Sequence, residues 1–295
     1  KLAGSTFSYG ITGTFSDYTA EYTKCDNPTG LIGDPYVGKK YGEIWGYKVD
    51  GLFRNDKEAA EYASRIDLST VASGYYTATG AYGKGVRGGD IKYLDLNGDN
   101  IVNGGKGTLD DPGDRRVIGN SSPRYQYGAS LNFSWYGFDV SVFMQGIGRL
   151  DWYPGADNLR FWGPYCRPYA TFVPKNFMSQ VWSEENPDAY FPRARAYTSL
   201  NSNSGTAYYT NDRYLQNLAY CRLKNLTIGY TIPRRLTSKV GIKECRIYFS
   251  GENLATWSAL KSDFLDPEQA AADSDKKANV YPWCKTYSIG LNLTF

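Results

Sequence analysis

The sequence of 295 residues contains no histidine. That removes the commonest general base near neutral pH and the commonest transition-metal ligand, and it excludes any Ser/His/Asp set. There is no Walker-type phosphate loop, and no GxGxxG stands in the strand-to-helix context that gives it meaning. The adjacent carboxylates Glu184-Glu185 and Asp110-Asp111 have nothing to hold them at the separation a glycosidase needs. These absences argue against an enzyme. The five cysteines, Cys25, Cys166, Cys221, Cys245 and Cys284, show no CxxC spacing, which disfavours zinc and thioredoxin-like chemistry. Their number is odd and no disulfide pairing can be assigned. Net charge is only +3 with no long basic run, so nucleic acid is a poor partner. No stretch approaches the 18 or more apolar residues of a membrane-spanning helix, and mean hydropathy is −0.51. The chain starts on Lys1 without an initiator Met or a signal segment, which leads to the expectation that it is part of something longer.

What the chain has in abundance is aromatic: 27 Tyr, 13 Phe and 7 Trp, beside 32 Gly. That suits aromatic girdles and long loops better than an enzyme core. Six segments alternate with period two, near 4–16, 125–135, 138–147, 218–232, 244–254 and 284–295. Phe7, Tyr9, Ile11 and Phe15 fall on one side of the first. Leu131, Phe133 and Trp135 do so in the second, and Phe138, Val140, Val142 and Met144 in the third. Leu226, Ile228 and Tyr230 continue in the fourth, and Ile247 and Phe249 in the fifth. The last segment carries Tyr287, Ile289, Leu291, Leu293 and Phe295, an ending that many outer-membrane barrels share and that resembles the signal read by the barrel-assembly machinery. The opposite faces are mostly Ser, Thr, Asn and Gly rather than Lys and Glu. That fits a hydrated lumen with lipid outside better than a soluble antiparallel sheet.

The connections come in two lengths. Tyr136-Gly137 is a tight turn, and 233–243 is moderate and basic. The stretches 17–124, 148–217 and 255–283 are long, and loops of that length are usually functional. If Phe295 ends in the periplasm, strand parity puts both short turns there and all three long loops outside the cell. Within the loops, 57–65 and 177–185 read as short helices, the second ended by Asn186-Pro187. The stretch 41–53 reads as extended, outside the bilayer. The fold class expected is therefore all-β: antiparallel transmembrane β-barrel strands with long extracellular loops containing short helices.

An ordered set of phrases resembles the SusC/RagA family of TonB-linked outer-membrane transporters of Bacteroidetes. It runs through Gly46-Tyr47 and Gly51-Leu52-Phe53, then Gly89-Asp90-Ile91-Lys92-Tyr93 leading to Asp95-Leu96-Asn97-Gly98-Asp99. Val117-Ile118-Gly119-Asn120-Ser121 with Pro123-Arg124-Tyr125 follows, then Gly137-Phe138-Asp139-Val140-Ser141. It continues with Trp182 and Asn186-Pro187, then Arg222-Leu223-Lys224-Asn225-Leu226, Asn253-Leu254 and Asp266-Pro267-Glu268. The order matches the family's C-terminal third. The resemblance implies that the chain supplies about six strands of a 22-stranded barrel, with a plug domain and the other strands upstream. It implies TonB-dependent import of oligosaccharides, or of peptides in some members, beneath a SusD-like surface lipoprotein. The rival reading is a soluble or surface β-rich carbohydrate-binding module, which would bury the apolar faces in a core. A secreted hydrolase is a third, less favoured class.

Two loop sites draw attention. Asp95, Asn97 and Asp99, with the carbonyl of Ile101, place oxygens at positions 1, 3, 5 and 7 of a tight turn, a spacing that suits Ca²⁺. Position 12 is Lys106 and position 6 is Asn100, departures from an EF-hand. Asp110, Asp111 and Asp114 follow the Gly-rich stretch 104–107 and offer a looser closure. The alternative is an Asx-rich turn without an ion. The stretch 151–166 holds Trp152, Tyr153, Phe161, Trp162 and Tyr165, suited to contact with a substrate or a lid, or else to packing among themselves. Tyr281-Pro282-Trp283 reads as an interfacial belt.

Overall fold

The computed structural model describes residues 7–77, 85–166, 173, 175–195, 200, 205–262, 265–270 and 283–295. Twelve strands appear among them: β1 (Phe7–Ser16), β2 (Glu43–Gly46), β3 (Val49–Leu52), β4 (Ile91–Tyr93), β5 (Arg116–Asn120), β6 (Arg124–Trp135), β7 (Phe138–Arg149), β8 (Asp151–Trp152), β9 (Gln216–Asn217), β10 (Tyr220–Thr231), β11 (Glu244–Ser258) and β12 (Thr286–Thr294). Six of these, in the order β1-β6-β7-β10-β11-β12, form one sheet in which every neighbouring pair is antiparallel. They are the six segments with period-two patterning. Their lengths, 9 to 15 residues, reach or pass what a tilted strand needs to cross a bilayer, roughly 9–11 residues.

Register carries the sequence pattern across the whole sheet. Tyr9, Phe133, Val140, Ile228, Phe249 and Ile289 lie in one row over the six strands. Phe7, Trp135, Phe138, Tyr230, Ile247 and Leu291 form the next row, and Ile11, Leu131, Val142 and Leu226 the row on the other side. The other face has a polar row, Gly10, Asn132, Ser141, Thr227, Ser250 and Ser288. Ser141 Oγ donates to Asn132 Oδ1 (2.9 Å), and the hydroxyls of Thr227 and Ser250 meet at 3.3 Å. Two glycines on this face make room for large neighbours. The Tyr248 ring lies over Gly290, and the Arg246–Asp139 ion pair (2.5 Å) lies over Gly229, where a Cβ would collide with both partners.

Among the described residues, no other element covers the apolar rows. Ile11 is 72% exposed and Ile289 84%, and Leu131, Phe138, Leu291, Leu293 and Phe295 are exposed with them. Each such side chain left in water forgoes about 1.5–3 kcal/mol of burial, so a water-soluble sheet would not keep a whole face this way. From the Phe7 row to the Phe15–Tyr127–Trp257 row is about 26 Å along the strands, which at a tilt of about 40° gives roughly 20 Å of height, most of the apolar band of a transmembrane barrel.

The two ends of the sheet differ. At one end lie the Tyr136-Gly137 turn, the 232–243 connection and Phe295. Tyr136 (φ 46) and Gly137 (φ 89) both take the left-handed conformation, a two-residue hairpin turn that suits the twist of its strands. All three long connections leave from the other end. They hold the hydrophobic core: Phe53, Leu68, Val71, Ile91, Tyr93, Val102, Trp162, Tyr214 and Leu218 are buried there, and none of them belongs to the six-stranded sheet. The small pairs β2–β5, β3–β4 and β8–β9 frame this layer. The extended stretch 41–53 becomes β2 and β3, outside the large sheet. The helix expected over 57–65 forms as α1 (Asp56–Ala63), capped by Asn55, whose side chain accepts from the Glu58 amide (2.9 Å). The helix expected over 177–185 does not form. Phe177–Gln180 makes a 3-10 turn, and then Val181 bridges to Phe191 while Ser183 Oγ accepts from the Asn186 amide (3.1 Å). Those side-chain and bridge contacts turn the chain away before a second helical turn can close.

Candidate functional site

The aromatic stretch 151–166 lies inside the loop layer. Trp152, Tyr153, Phe161, Trp162 and Tyr165 are all buried, Trp162 fully (0% exposed). Asn158 starts the short helix Leu159–Trp162 by accepting from the Phe161 amide (3.0 Å), which turns Phe161 and Trp162 inward. Their partners come from far along the chain. Phe161 meets Phe191 edge-on (5.7 Å), Trp162 meets Tyr214 (5.1 Å), and Tyr165 and Phe177 stack on Phe191. Three of the polar tips are satisfied by backbone: Trp162 Nε1 donates to Gly155 O (3.0 Å), Tyr165 OH to Pro192 O (2.5 Å), and Tyr153 OH to Ala207 O (3.0 Å), whereas Trp152 Nε1 is buried without a partner among the described residues. Of the two expectations for these five, contact with a substrate or a lid and packing among themselves, the packing is what the loop layer displays. They form the core that gives the loop layer its shape.

The acidic turn folds around its own backbone. Asp95 accepts from the amides of Gly98 (2.7 Å) and Asn100 (2.9 Å), Asn97 Oδ1 from Asp99 (3.0 Å), and Asp99 Oδ1 from Ile101 (2.8 Å). Asn100 takes the left-handed conformation the turn requires (φ 66). Asp114, fully buried, closes the loop from the far side by accepting from Leu96 (2.6 Å) and Asn103 (2.8 Å). Among the described residues no group of three or more carboxylates converges as metal ligands would. The donor set is that of an Asx-rich turn.

Sequence reasoning did not anticipate the ties between loops. Gly89 (φ +85) lies under the Trp182 indole, where a Cβ would sit 2.4 Å from the ring, and Arg193 stacks on the same indole (4.5 Å). Asp90, 1% exposed, accepts from the Arg87 amide (2.7 Å) and pairs with Arg195 (2.5 Å), which lies over the Tyr75 ring (4.2 Å). Burial raises the Asp90 carboxyl to about 6 despite the opposing effect of Arg195. Tyr93 OH donates to Thr206 O (2.5 Å), and Asn211 Nδ2 donates to Tyr153 OH (2.9 Å). Burial holds the Tyr93 and Tyr153 phenols well above their usual range, so both remain neutral donors. Together these contacts join the first long loop to the second.

The third long loop is tied to the sheet itself. Arg222, with a side chain 2% exposed, pairs with Asp266 (2.5 Å) and Glu268 (2.6 Å) and donates to Thr256 Oγ1 (2.9 Å). Lys224 joins Glu268 (2.8 Å). A β-bulge between Leu223 and Asn225 makes Lys224 the extra residue against β7, which lets two nearby cations reach one carboxylate. The signal was present in the sequence as Arg222-Leu223-Lys224 and Asp266-Pro267-Glu268, opposite charges some 40 residues apart. Trp283 lies under the Lys224 ammonium (4.9 Å), beside this cluster; Tyr281 and Pro282 of the expected belt lie outside the described residues.

Where the loop layer meets β6 and β7 there is an open cleft of about 490 Å³. Tyr18, Tyr41 and Tyr125 offer exposed rings, and Asn120, Lys40 and two Arg–carboxylate pairs, Arg124–Asp17 and Arg149–Asp151 (2.9 Å), offer hydrogen-bonding groups.

No family model matches the chain. TonB-dependent receptor P26 of Formosa agariphila is 28% identical over 215 residues, covering 70% of the chain and 20% of the receptor. TonB-dependent receptor P3 of the same organism is 25% identical over 267 residues, covering 88% of the chain and 22% of the receptor. Among solved structures, the RagAB peptide transporter matches with a TM-score of 0.60 and 17% identity, over 100% of this chain and 28% of that one. The RagAB peptide importer in the closed-closed state matches with a TM-score of 0.58 and the same coverage. The chain thus spans about a fifth of the curated relatives it matches. The resemblance to SusC/RagA-type TonB-dependent transporters holds. The fold is that of a transporter barrel, its place is a bacterial outer membrane, and the relatives are receptors and transporters, not enzymes.

Proposed function

We propose that this chain is the strand-and-loop portion of a TonB-dependent importer for oligosaccharides or peptides, working with a SusD-like surface lipoprotein. One observation carries the reading. The sheet exposes an uninterrupted apolar face, while the only extensive core among the described residues lies in the loops at one end. That division suits a wall in lipid that carries a preformed outer vestibule. In this reading the strands are passive, and the rest of the parent protein closes the barrel and supplies the plug and the contact with TonB. The cleft with Tyr18, Tyr41, Asn120 and Arg149 is the surface best suited to a polymer rich in hydroxyl or amide groups, since planar rings stack on it and fixed polar groups orient it.

Uptake of labelled oligosaccharide and peptide pools, compared in cells with and without the parent protein, tests this. Uptake of one pool should require both the parent and an energised inner membrane. Equal uptake in the two strains for every pool would overturn it. The carbohydrate-binding module fares worse because its apolar rows should be covered. Monomeric solubility of the full-length parent without detergent would restore that reading.

A further inference from the structure

The connection between β10 and β11 carries more than a reversal requires. It folds as a helical turn, Arg234–Thr237, and a 3-10 turn, Ser238–Val240, closed by Gly241 in the left-handed conformation (φ 79). It is a defined structure: Thr237 is buried, and the Ile242 amide donates to Thr237 O (3.2 Å). Yet Leu236 and Val240 are exposed, Val240 at 71%. Arg234, Arg235, Lys239 and Lys243 are exposed as well. Among the described residues none of the four cations stands in an ion pair, and Glu244 is the single acidic residue from 232 to 244. Elsewhere in this chain Arg124, Arg149, Arg195, Arg222 and Arg246 each hold a carboxylate.

Position explains the combination. The connection starts just past the end of the apolar rows, whose last full row includes Tyr230 and Ile247. On the adjoining hairpin Trp135, Tyr136 and Phe138 are exposed at the same end, and aromatic residues of this kind settle at the level of the lipid headgroups. Residues 234–243 therefore lie at headgroup depth, on the side opposite the loop layer. Exposed aliphatics interleaved with unpaired cations at that depth match the surface of an anionic phospholipid layer.

We propose that residues 234–243 are an interfacial anchor for anionic phospholipid in the periplasmic leaflet. Leu236 and Val240 enter the boundary between headgroups and acyl chains, and Arg234, Arg235, Lys239 and Lys243 hold headgroup phosphates. The anchor rests on the barrel orientation given above. It fixes the depth of this part of the wall, opposite the end where the loop layer must be held steady.

The test uses the full-length parent in nanodiscs of phosphatidylcholine alone or with one third phosphatidylglycerol. Hydrogen exchange of the segment 232–244 is the readout, and heat-modifiable electrophoretic migration verifies the barrel first. Exchange should be at least tenfold slower in the phosphatidylglycerol discs. The difference should vanish in 0.5 M salt and in the quadruple variant R234Q/R235Q/K239Q/K243Q, since each surface cation is worth roughly fivefold in binding to an anionic membrane. Equal exchange in the two discs, or a difference that survives high salt, would overturn the proposal even if the variant does not fold. Protection that appears in both discs only after periplasmic protein is added would also overturn it, in favour of a protein partner. A wild-type parent that shows no heat-modifiable migration points instead to failure of the barrel reading.

Discussion

Replacing Arg222 with Gln probes how the third long loop is held to the wall. The substitution keeps a polar, though shorter, side chain and removes the charge that faces Asp266 and Glu268. Breaking a buried pair by removing one partner costs about 3–5 kcal/mol when the remaining charge is stranded. Here the loss is smaller, for two reasons visible in the geometry. Glu268 keeps Lys224 at 2.8 Å, and Asp266 keeps the amides of Glu268 (3.0 Å) and Gln269 (3.3 Å) on its other oxygen. We therefore expect about 2–3 kcal/mol, lost from local opening of the segment Pro267–Ala270 and not from the barrel as a whole. At 1.36 kcal/mol per tenfold, that is a roughly 30- to 160-fold rise in exchange at the Gln269 and Ala270 amides, which both donate to Asp266 O. Hydrogen exchange on the folded full-length protein measures it. Arg222→Lys should fall between, because a point charge replaces the planar fork. Exchange within threefold of wild type in Arg222→Gln would show that the loop is held by other contacts, and the assigned role of the cluster would be wrong.

Three further outcomes follow from the loop layer. The Asp90 carboxyl is raised to about 6 from an ordinary value of 3.8, so between about pH 4 and 6 the folded form keeps a proton that the opened form loses. The stability of the 85–95 region should therefore fall as pH rises through that window, by up to about 3 kcal/mol, and Asp90→Asn should flatten the slope seen by exchange corrected for intrinsic rates. Trp162→Ala should cost about 3–5 kcal/mol in opening of the loop layer, read by limited proteolysis, while heat-modifiable migration of the barrel stays unchanged, because the buried residues around Trp162 lie in the loops and only Ile147 of the large sheet packs against them. Calorimetric titration of the folded protein with Ca²⁺ should give no binding heat, since among the described residues no group of three or more His, Cys, Asp or Glu side chains converges at the acidic turn.

The wall was legible because a strand in a barrel repeats one instruction. Each residue faces lipid or lumen by parity alone, so Phe138, Val140 and Val142 announce their side without reference to any neighbour. The tight turn was equally local: two adjacent left-handed residues, Tyr136 and Gly137, suffice to set the register of Trp135 against Phe138. Strand ends were less legible. β11 runs on to Ser258, past the expected end at 254, because its pairing with β10 continues beyond the bulge to Tyr220. No single-strand pattern contains that information.

The loop layer was not legible for the opposite reason. A short stretch with Trp152, Tyr153, Phe161, Trp162 and Tyr165 has the same composition whether it displays its rings or packs them. What decides is Phe191 and Tyr214, 30 or more residues downstream of Phe161, together with backbone carbonyls at Gly155, Pro192 and Ala207 that take up the polar tips. An aromatic ring is kept at the surface only when its polar tip or its face lacks a partner within the chain. Tyr153, Phe161, Trp162 and Tyr165 have such partners, whereas the rings of Tyr18 and Tyr41 remain exposed beside the cleft. The same reasoning separates the charges. Arg222, Arg195 and Arg246 have carboxylate partners and hold structure together, while Arg234, Arg235, Lys239 and Lys243 have none among the described residues and remain available to bind something outside the chain. In a protein whose wall faces lipid and whose core sits in its loops, binding surfaces are found where rings and charges are left without internal partners. That points to the cleft above the sheet and the basic turn below it.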